Sequence, residues 1–161
     1  MTKNRQLKGC FPFFADIREK KTVVIGAGKI AARRIETLTQ FCANILVVAP
    51  EASEKVLALA KEGLITLRLK PYDREDLFGA DLVLAATNDL KLNDEIHSVC
   101  KCLGIWVNVC SDQKKCDFQF PGIVKADEVV IGINAAGTDH KKVKKIRECV
   151  EEAFTQGGWN E

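Results

Sequence analysis

The chain has 161 residues and no run of about 18 apolar side chains, the length a membrane-spanning helix needs. Its start, MTKNRQLKGCFPFF, lacks the apolar stretch of a secretory signal peptide. Charge of one sign is scarce in excess: 24 Lys and Arg face 22 Asp and Glu, a net of +2. Aromatic residues are 7% of the chain, and none interleaves with a basic groove. Both facts argue against a nucleic-acid partner. There are only two histidines and no Cys-x-x-Cys pair, so a structural metal site has little to build on. His97, Cys100 and Cys102 are close in sequence, but His97 and Cys100 lie on a helix whose apolar side the core needs, and Cys102 faces elsewhere. The absences imply a soluble cytoplasmic protein without membrane, nucleic acid or bound metal.

Hydrophobic residues make up 47% and charged residues 29%, an ordinary balance for one domain with a small appendage. The seven cysteines are an odd number. Cys42, Cys100 and Cys149 fall at apolar positions of helical patterns, which predicts mostly buried, reduced thiols and not a disulfide framework.

Hydrophobic periodicity orders the chain. TVVIG, Thr22 to Gly26, is a buried strand ending in glycine. A helix follows from Gly28, with Ile30, Ile35, Leu38 and Phe41 or Cys42 as its apolar side. NILVVAP is a second strand stopped by Pro50. Ser53 to Lys61 is helical, with Val56, Leu57 and Ala60 inward. LITLRL alternates like a sheet edge. ADLVLAAT is apolar without alternation, as a strand covered on both faces must be. Asn88 or Asp89 caps the next helix, whose apolar side is Leu92, Ile96, Val99, Cys100 and Leu103, and Gly104 ends it. IWVNV is a fifth strand. This alternation predicts a Rossmann-like α/β fold with a doubly wound parallel sheet. Beyond it, FPGIV and EVVIGI read as an antiparallel hairpin, and Asp139 caps a last helix with Val143, Ile146, Val150 and Ala153 on one face. A hairpin and one helix lack a core of their own. They are expected to pack on a second subunit or to extend the main sheet. The expected division is residues 1–113 as the nucleotide-binding domain and 114–161 as a dimerisation and cleft region.

The sharpest local motif is VVIGAGKIAARR, a G-x-G-x-x-A pattern between strand and helix. Gly26 allows the tight turn, Gly28 lets a pyrophosphate approach the backbone, and Ala31 lets helix and strand pack closely. A dinucleotide cofactor is the expected ligand. An acidic residue normally follows about 20 residues later, on the adenosine ribose. The nearest here is Glu51, and no arginine is placed to hold a 2′-phosphate, which favours NAD over NADP. Thr87 and Asn88 end the fourth strand on the crevice side. They face the nicotinamide half, cap the helix, or do both. Asn108 is a further candidate for the nicotinamide amide.

Taken together, FPFF, GAGKIAARR, ILVVAPEAS, AATND with Asn93 beyond it, and IWVNVCSDQKKCDFQFPGIV resemble the N-terminal domain family of siroheme synthases. Those domains are NAD-dependent precorrin-2 dehydrogenases, and the likeness spans roughly residues 11–154. It implies NAD on the first five strands, with contacts carried over to Lys29, Ile30, Pro50 and Glu51. It also implies a homodimer whose hairpin and last helix shape a tetrapyrrole cleft, and hydride transfer from precorrin-2 to NAD. Some relatives also insert iron.

Two departures stand out. Where relatives carry an aspartate after the fifth strand, a candidate for acid–base work, this chain has Ser111, with Asp112 next. A second polar position of relatives falls at Ala135. Asp112 is the expected proton acceptor, just past the carboxyl end of a parallel strand. Ser111 and His140, at the start of the last helix, are the other catalytic candidates. Strong iron insertion is not expected with Ser111 in the carboxylate's place. Lys114, Lys115, Lys125, Lys141, Lys142, Lys144, Lys145 and Arg147 gather late in the chain. They either steer a polycarboxylate ligand or form a solvated face. The competing reading is a module that keeps the fold and binds a nucleotide or tetrapyrrole without turnover.

Overall fold

The computed structural model describes residues 11–135 and 139–155, apart from the side chain of residue 140. It divides into two compact units. One is Ala15–Gln119; the other holds the segment from Phe120 onward together with residues 11–14.

In the first unit, each apolar run becomes a strand, and each run with helical spacing becomes a crossover. The order is β1 (Lys21–Ile25), α1 (Lys29–Leu38), β2 (Asn44–Ala49), α2 (Glu54–Lys61), β3 (Thr66–Leu69), a 3-10 turn (Arg74–Leu77), β4 (Leu82–Ala85), α3 (Leu90–Leu103) and β5 (Trp106–Val109). All neighbours pair in parallel, in the spatial order β3-β2-β1-β4-β5. The chain therefore winds outward from β1 in one direction, then returns and winds in the other. The crevice at the carboxyl ends of β1 and β4 is the switch point where such sheets take ligands. β3 is an edge strand, as its alternation predicts.

The centre is apolar on both faces, hence the absence of alternation in β1, β2 and β4. Val23, Ile25, Leu46, Val48, Val83, Ala85, Val107 and Val109 pack with Leu77, Ile96, Cys100 and Ile105 in one buried cluster. The two-residue period turns Val24, Val47, Leu84 and Asn108 to the other face. There Arg34 of α1 donates to the Asn108 side chain.

The helices correct several expected inward positions. On α1, Ala31, Ala32, Ile35 and Leu38 are buried, while Ile30 is 55% exposed. On α2, Leu59 goes inward with Val56, and Leu57 is exposed. On α3, Asn93 joins Ile96 and Cys100 inside, and Leu103 is exposed. One residue along a helix is a turn of 100°, so a choice between Leu57 and Leu59 rests on the axis direction, which tertiary packing sets. Ile30 and Leu103 sit in the first turn of α1 and the last turn of α3. Gly104 ends α3 as expected, in a left-handed cap with φ +69°. The thiols are less buried than expected: Cys42 and Cys100 are inside, Cys110 and Cys116 half-buried, and Cys102 and Cys149 exposed, all free.

In the second unit, β6 (Gly122–Ala126) and β7 (Val129–Ile133) form their own antiparallel sheet, so the hairpin does not extend the main one. α4 (His140–Thr155) starts at Asp139, whose carboxylate accepts from the Lys142 N–H at 2.8 Å. Its Val143 packs over Gly122. Val124 is buried, yet Ile146 remains 40% exposed, which agrees with a hairpin and helix that cannot close a core alone. Among the described residues no helix is long and apolar enough to cross a membrane.

Candidate functional site

The glycine loop leaves β1 through Gly26, whose φ is +106°. A Cβ there would lie 2.5 Å from the Ala86 carbonyl oxygen, so β1 and the end of β4 touch backbone to backbone. The loop is fixed from the other side as well. Gly26 N–H donates to the Val48 carbonyl at 2.9 Å, and Ser53 N–H to the Ala27 carbonyl at 3.0 Å. Gly28 is different: its backbone is extended, and a Cβ would meet nothing within 4 Å. It caps α1 without any side-chain hydrogen bond, and no acidic residue occupies the first turn. A helix start with open space above it, outward N–H groups and no internal anion is a fit for a pyrophosphate. Ala31 is fully buried, as close packing of α1 requires. Lys29, Ile30, Pro50 and Glu51 are exposed around this mouth. A dinucleotide would rest on Gly26, Gly28 and the first turn, with Glu51 just past the end of β2.

At the end of β4 a polar cluster closes the crevice floor. Asn93 on α3 is completely buried. Its side-chain oxygen accepts from Thr87 N–H at 3.2 Å and from the Thr87 hydroxyl at 2.8 Å. Its amide nitrogen donates to the Thr87 carbonyl at 3.1 Å and to the Ser111 hydroxyl at 3.2 Å. Thr87 also accepts from Asp89 N–H at 3.1 Å, and Asp89 caps α3 through Lys91 and Leu92 N–H. Thr87 is thus held inward by Asn93, whereas Asn88 beside it is exposed. The sequence marks Asn93 only through the family resemblance and gives it no role at the site. Its signal was present: it stands three and seven residues before Ile96 and Cys100, on the stripe that goes inside.

The segment after β5 holds the candidates Ser111 and Asp112 and a further carboxylate, Asp117, with distinct duties. Ser111 is exposed at the crevice and linked to Asn93. Asp112 caps the short turn Gln113–Lys115: one carboxylate oxygen accepts Lys114 N–H at 2.9 Å, and the other lies 3.9 Å from the Lys115 ammonium. Asp117 lies against β5, accepting Val107 N–H at 3.0 Å and pairing with Lys101. Burial alone would raise the Asp117 pKa. The hydrogen bonds from Lys101 and Val107 outweigh it and hold the carboxyl below its usual range. Cys116 Sγ accepts Val109 N–H at 3.3 Å and donates toward the Val109 carbonyl at 3.3 Å. Burial pushes the Cys110 and Cys116 thiols up, so neither is poised as a thiolate. Asn108 is buried, its oxygen on Arg34 and its nitrogen donating to the Phe118 carbonyl at 2.7 Å. It braces α1 against β5. His140 opens α4, but its side chain lies outside the described residues, and Ala135 belongs to the second unit.

Residues 13–122 match the family described as "Putative NAD(P)-binding". The chain belongs to this NAD(P)-binding family. A siroheme synthase of Pseudoalteromonas atlantica is 38% identical over 146 residues, which are 91% of this chain and 32% of that protein. A siroheme synthase of Zymomonas mobilis is 36% identical over 145 residues, 90% of this chain and 31% of that protein. The chain therefore spans about a third of the length of the curated relatives it matches. The solved structure of SirC, a precorrin-2 dehydrogenase, superposes with a TM-score of 0.79 at 26% identity, covering 91% of this chain and 74% of that one. The resemblance to the siroheme-synthase N-terminal family and the Rossmann-like fold are both borne out. The glycine loop, Gly26 to Ala31, falls inside the matched residues.

Proposed function

We propose that this chain is an NAD-dependent dehydrogenase that oxidises precorrin-2 to sirohydrochlorin. The observation that carries the reading is the likeness to SirC over 91% of the chain, in a molecule whose glycine loop fits a dinucleotide. NAD is the cofactor, because Glu51 and not an arginine follows β2, and a carboxylate there disfavours a 2′-phosphate. Bound NAD accepts the hydride.

The chain's own residues bind, orient and take the proton. Backbone N–H groups at the start of α1 hold the pyrophosphate, and Glu51 accepts from the ribose. Lys29 and Ile30 flank the pyrophosphate, Pro50 shapes the adenosine edge, and Asn88 faces the nicotinamide half. Thr87 and Asn108 act as braces. Asp112 is the proposed proton acceptor: its oxygen nearer Lys115 is not engaged by the turn's N–H. The exposed lysines of α4 draw in a substrate with many carboxylates. The exposed apolar side of α4 and the hairpin belong to a homodimer contact, and the protein works in the cytoplasm. Iron insertion stays outside the proposal, since Ser111 stands where relatives carry the carboxylate.

Mixing the protein with precorrin-2 and NAD should give NADH at 340 nm, about one per sirohydrochlorin formed. Binding of both ligands without any NADH would favour the non-enzymatic module instead. Asp112→Asn keeps a side-chain acceptor for Lys114 N–H and removes the base. Its kcat should fall at least about tenfold, or about 1.4 kcal/mol of barrier. An unchanged kcat would remove Asp112 from the mechanism.

A further inference from the structure

The Asn93 amide has an orientation that its neighbours determine. One end meets a backbone N–H, from Thr87 at 3.2 Å, and must therefore be the oxygen. The other meets the Thr87 carbonyl at 3.1 Å, and must be the nitrogen. The contact from that nitrogen to Ser111 Oγ at 3.2 Å is then a donation to the serine. A hydroxyl that accepts on one side keeps its single proton for another partner. Among the described residues no acceptor receives the Ser111 proton, and the residue is exposed at the carboxyl end of β5.

We propose that Asn93 is a positioning residue that makes Ser111 an outward hydrogen-bond donor to a ligand oxygen in the crevice. The inference rests on the dehydrogenase reading for its ligands, and it gives position 111 a task that differs from a carboxylate's. An aspartate here would accept from Asn93 and offer the ligand negative charge; the serine offers a neutral donor. Two ligand oxygens share this chemistry: the nicotinamide carboxamide of NAD and a carboxylate of the tetrapyrrole. The donor also has no titration in the working range, so the hold it exerts is independent of pH.

Asn93 is buried and has four hydrogen bonds, so its replacement affects folding as well as position. Ser111, being exposed, gives the cleaner variant. Ser111→Ala should melt within about 2 °C of the parent. Calorimetry with NAD and absorbance titration with sirohydrochlorin then read each ligand separately. One of the two dissociation constants should rise about fivefold to tenfold, and that one identifies the partner. Ser111→Thr, which retains the hydroxyl, should stay within about threefold of the parent for the same ligand. In variants that still fold cooperatively, Asn93→Asp should weaken the same ligand. Combined with Ser111→Ala, it should add less than about twofold, because the two act as one unit. If Ser111→Ala leaves both dissociation constants unchanged, the proposal is overturned. If the parent binds both ligands and never turns over, the enzymatic reading fails while this one is still decided by the titrations.

Discussion

Gly28→Ala should fold like the parent protein and lose at least about tenfold in affinity for NAD. The backbone at Gly28 is extended, a conformation open to any residue, and an added Cβ meets no atom within 4 Å. The protein itself therefore has no need of glycine there, beyond a few tenths of a kcal/mol at a helix cap. The space that the methyl would fill is the one a pyrophosphate needs in order to reach the N–H groups of the first turn. Gly26→Ala is the contrasting variant. Its φ of +106° costs about 1–3 kcal/mol for a side-chain-bearing residue. The new Cβ would also overlap the Ala86 carbonyl oxygen at 2.5 Å, a backbone atom that cannot swing aside. Its melting temperature should fall by about 5 °C or more. Thermal melts with and without NAD separate the two effects. Gly28→Ala should keep its unliganded melt and lose most of the NAD-induced rise. If it instead loses stability and binds NAD normally, the pyrophosphate does not rest over Gly28.

Asp76→Ala should cost about 2 kcal/mol of folding stability, a fall of about 4–8 °C for a chain of this size. The Asp76 carboxylate is 3% exposed, within the 3-10 turn that leads into β4. It accepts from Lys70 at 2.5 Å and from Asp73 N–H at 2.9 Å, with Arg68 at 3.5 Å. Lys70 and Arg68 are partly exposed, so their Coulomb contribution is screened, and most of the loss comes from the buried acceptor and the cap. Asp76→Asn keeps an acceptor for Asp73 and should lose about half as much. The acid limb gives a second reading. Burial by itself would raise the Asp76 pKa. The Lys70 hydrogen bond, the Asp73 N–H and the two positive charges more than reverse this, and the carboxyl titrates below its usual value. The folded state thus favours the ionised form. Its stabilising effect is complete above the unfolded value near 4 and is lost as pH falls through the lower folded value. Equilibrium urea unfolding between about pH 7 and 3 should show a shallower acid loss for Asp76→Asn than for the parent. Parallel curves would mean that folding does not shift the titration of Asp76.

Much of the fold was legible because its signals are local. A short apolar run such as ADLVLAAT between turn signals reads as a strand with both faces covered, and a glycine pattern between strand and helix marks a βα turn that can take a phosphate. What stayed hidden depends on how elements are tilted and where loops end. Leu57 and Leu59 differ by 200° around α2, and only the lie of the helix on the sheet decides between them. Asn93 enters the sequence reading only through the family resemblance, because a polar side chain gives no local sign that it goes inside. Its partners, Thr87 and Ser111, lie six and 18 residues away, at the ends of two adjacent strands. The roles of Asp112 and Asp117 were hidden for the same reason. Each carboxylate is assigned by the backbone N–H it meets, Lys114 for one and Val107 for the other, and sequence spacing does not reveal which N–H groups lack partners.

The segment after β5 has one more consequence. Trp106 and Cys110 donate their N–H groups inward, to Asp81 and Ala85, so Val107 and Val109 direct theirs away from β4. Asp117 takes both backbone groups of Val107, through its own carboxylate and N–H, and Cys116 does the same for Val109 through its thiol. A flank that would otherwise be a template for a foreign strand is filled by the chain's own next residues. Side-by-side recruitment of other molecules, the first step of strand-mediated aggregation, is blocked there. The opposite flank, β3, guards itself by another means, with Arg68 in the strand and Lys70 at its end.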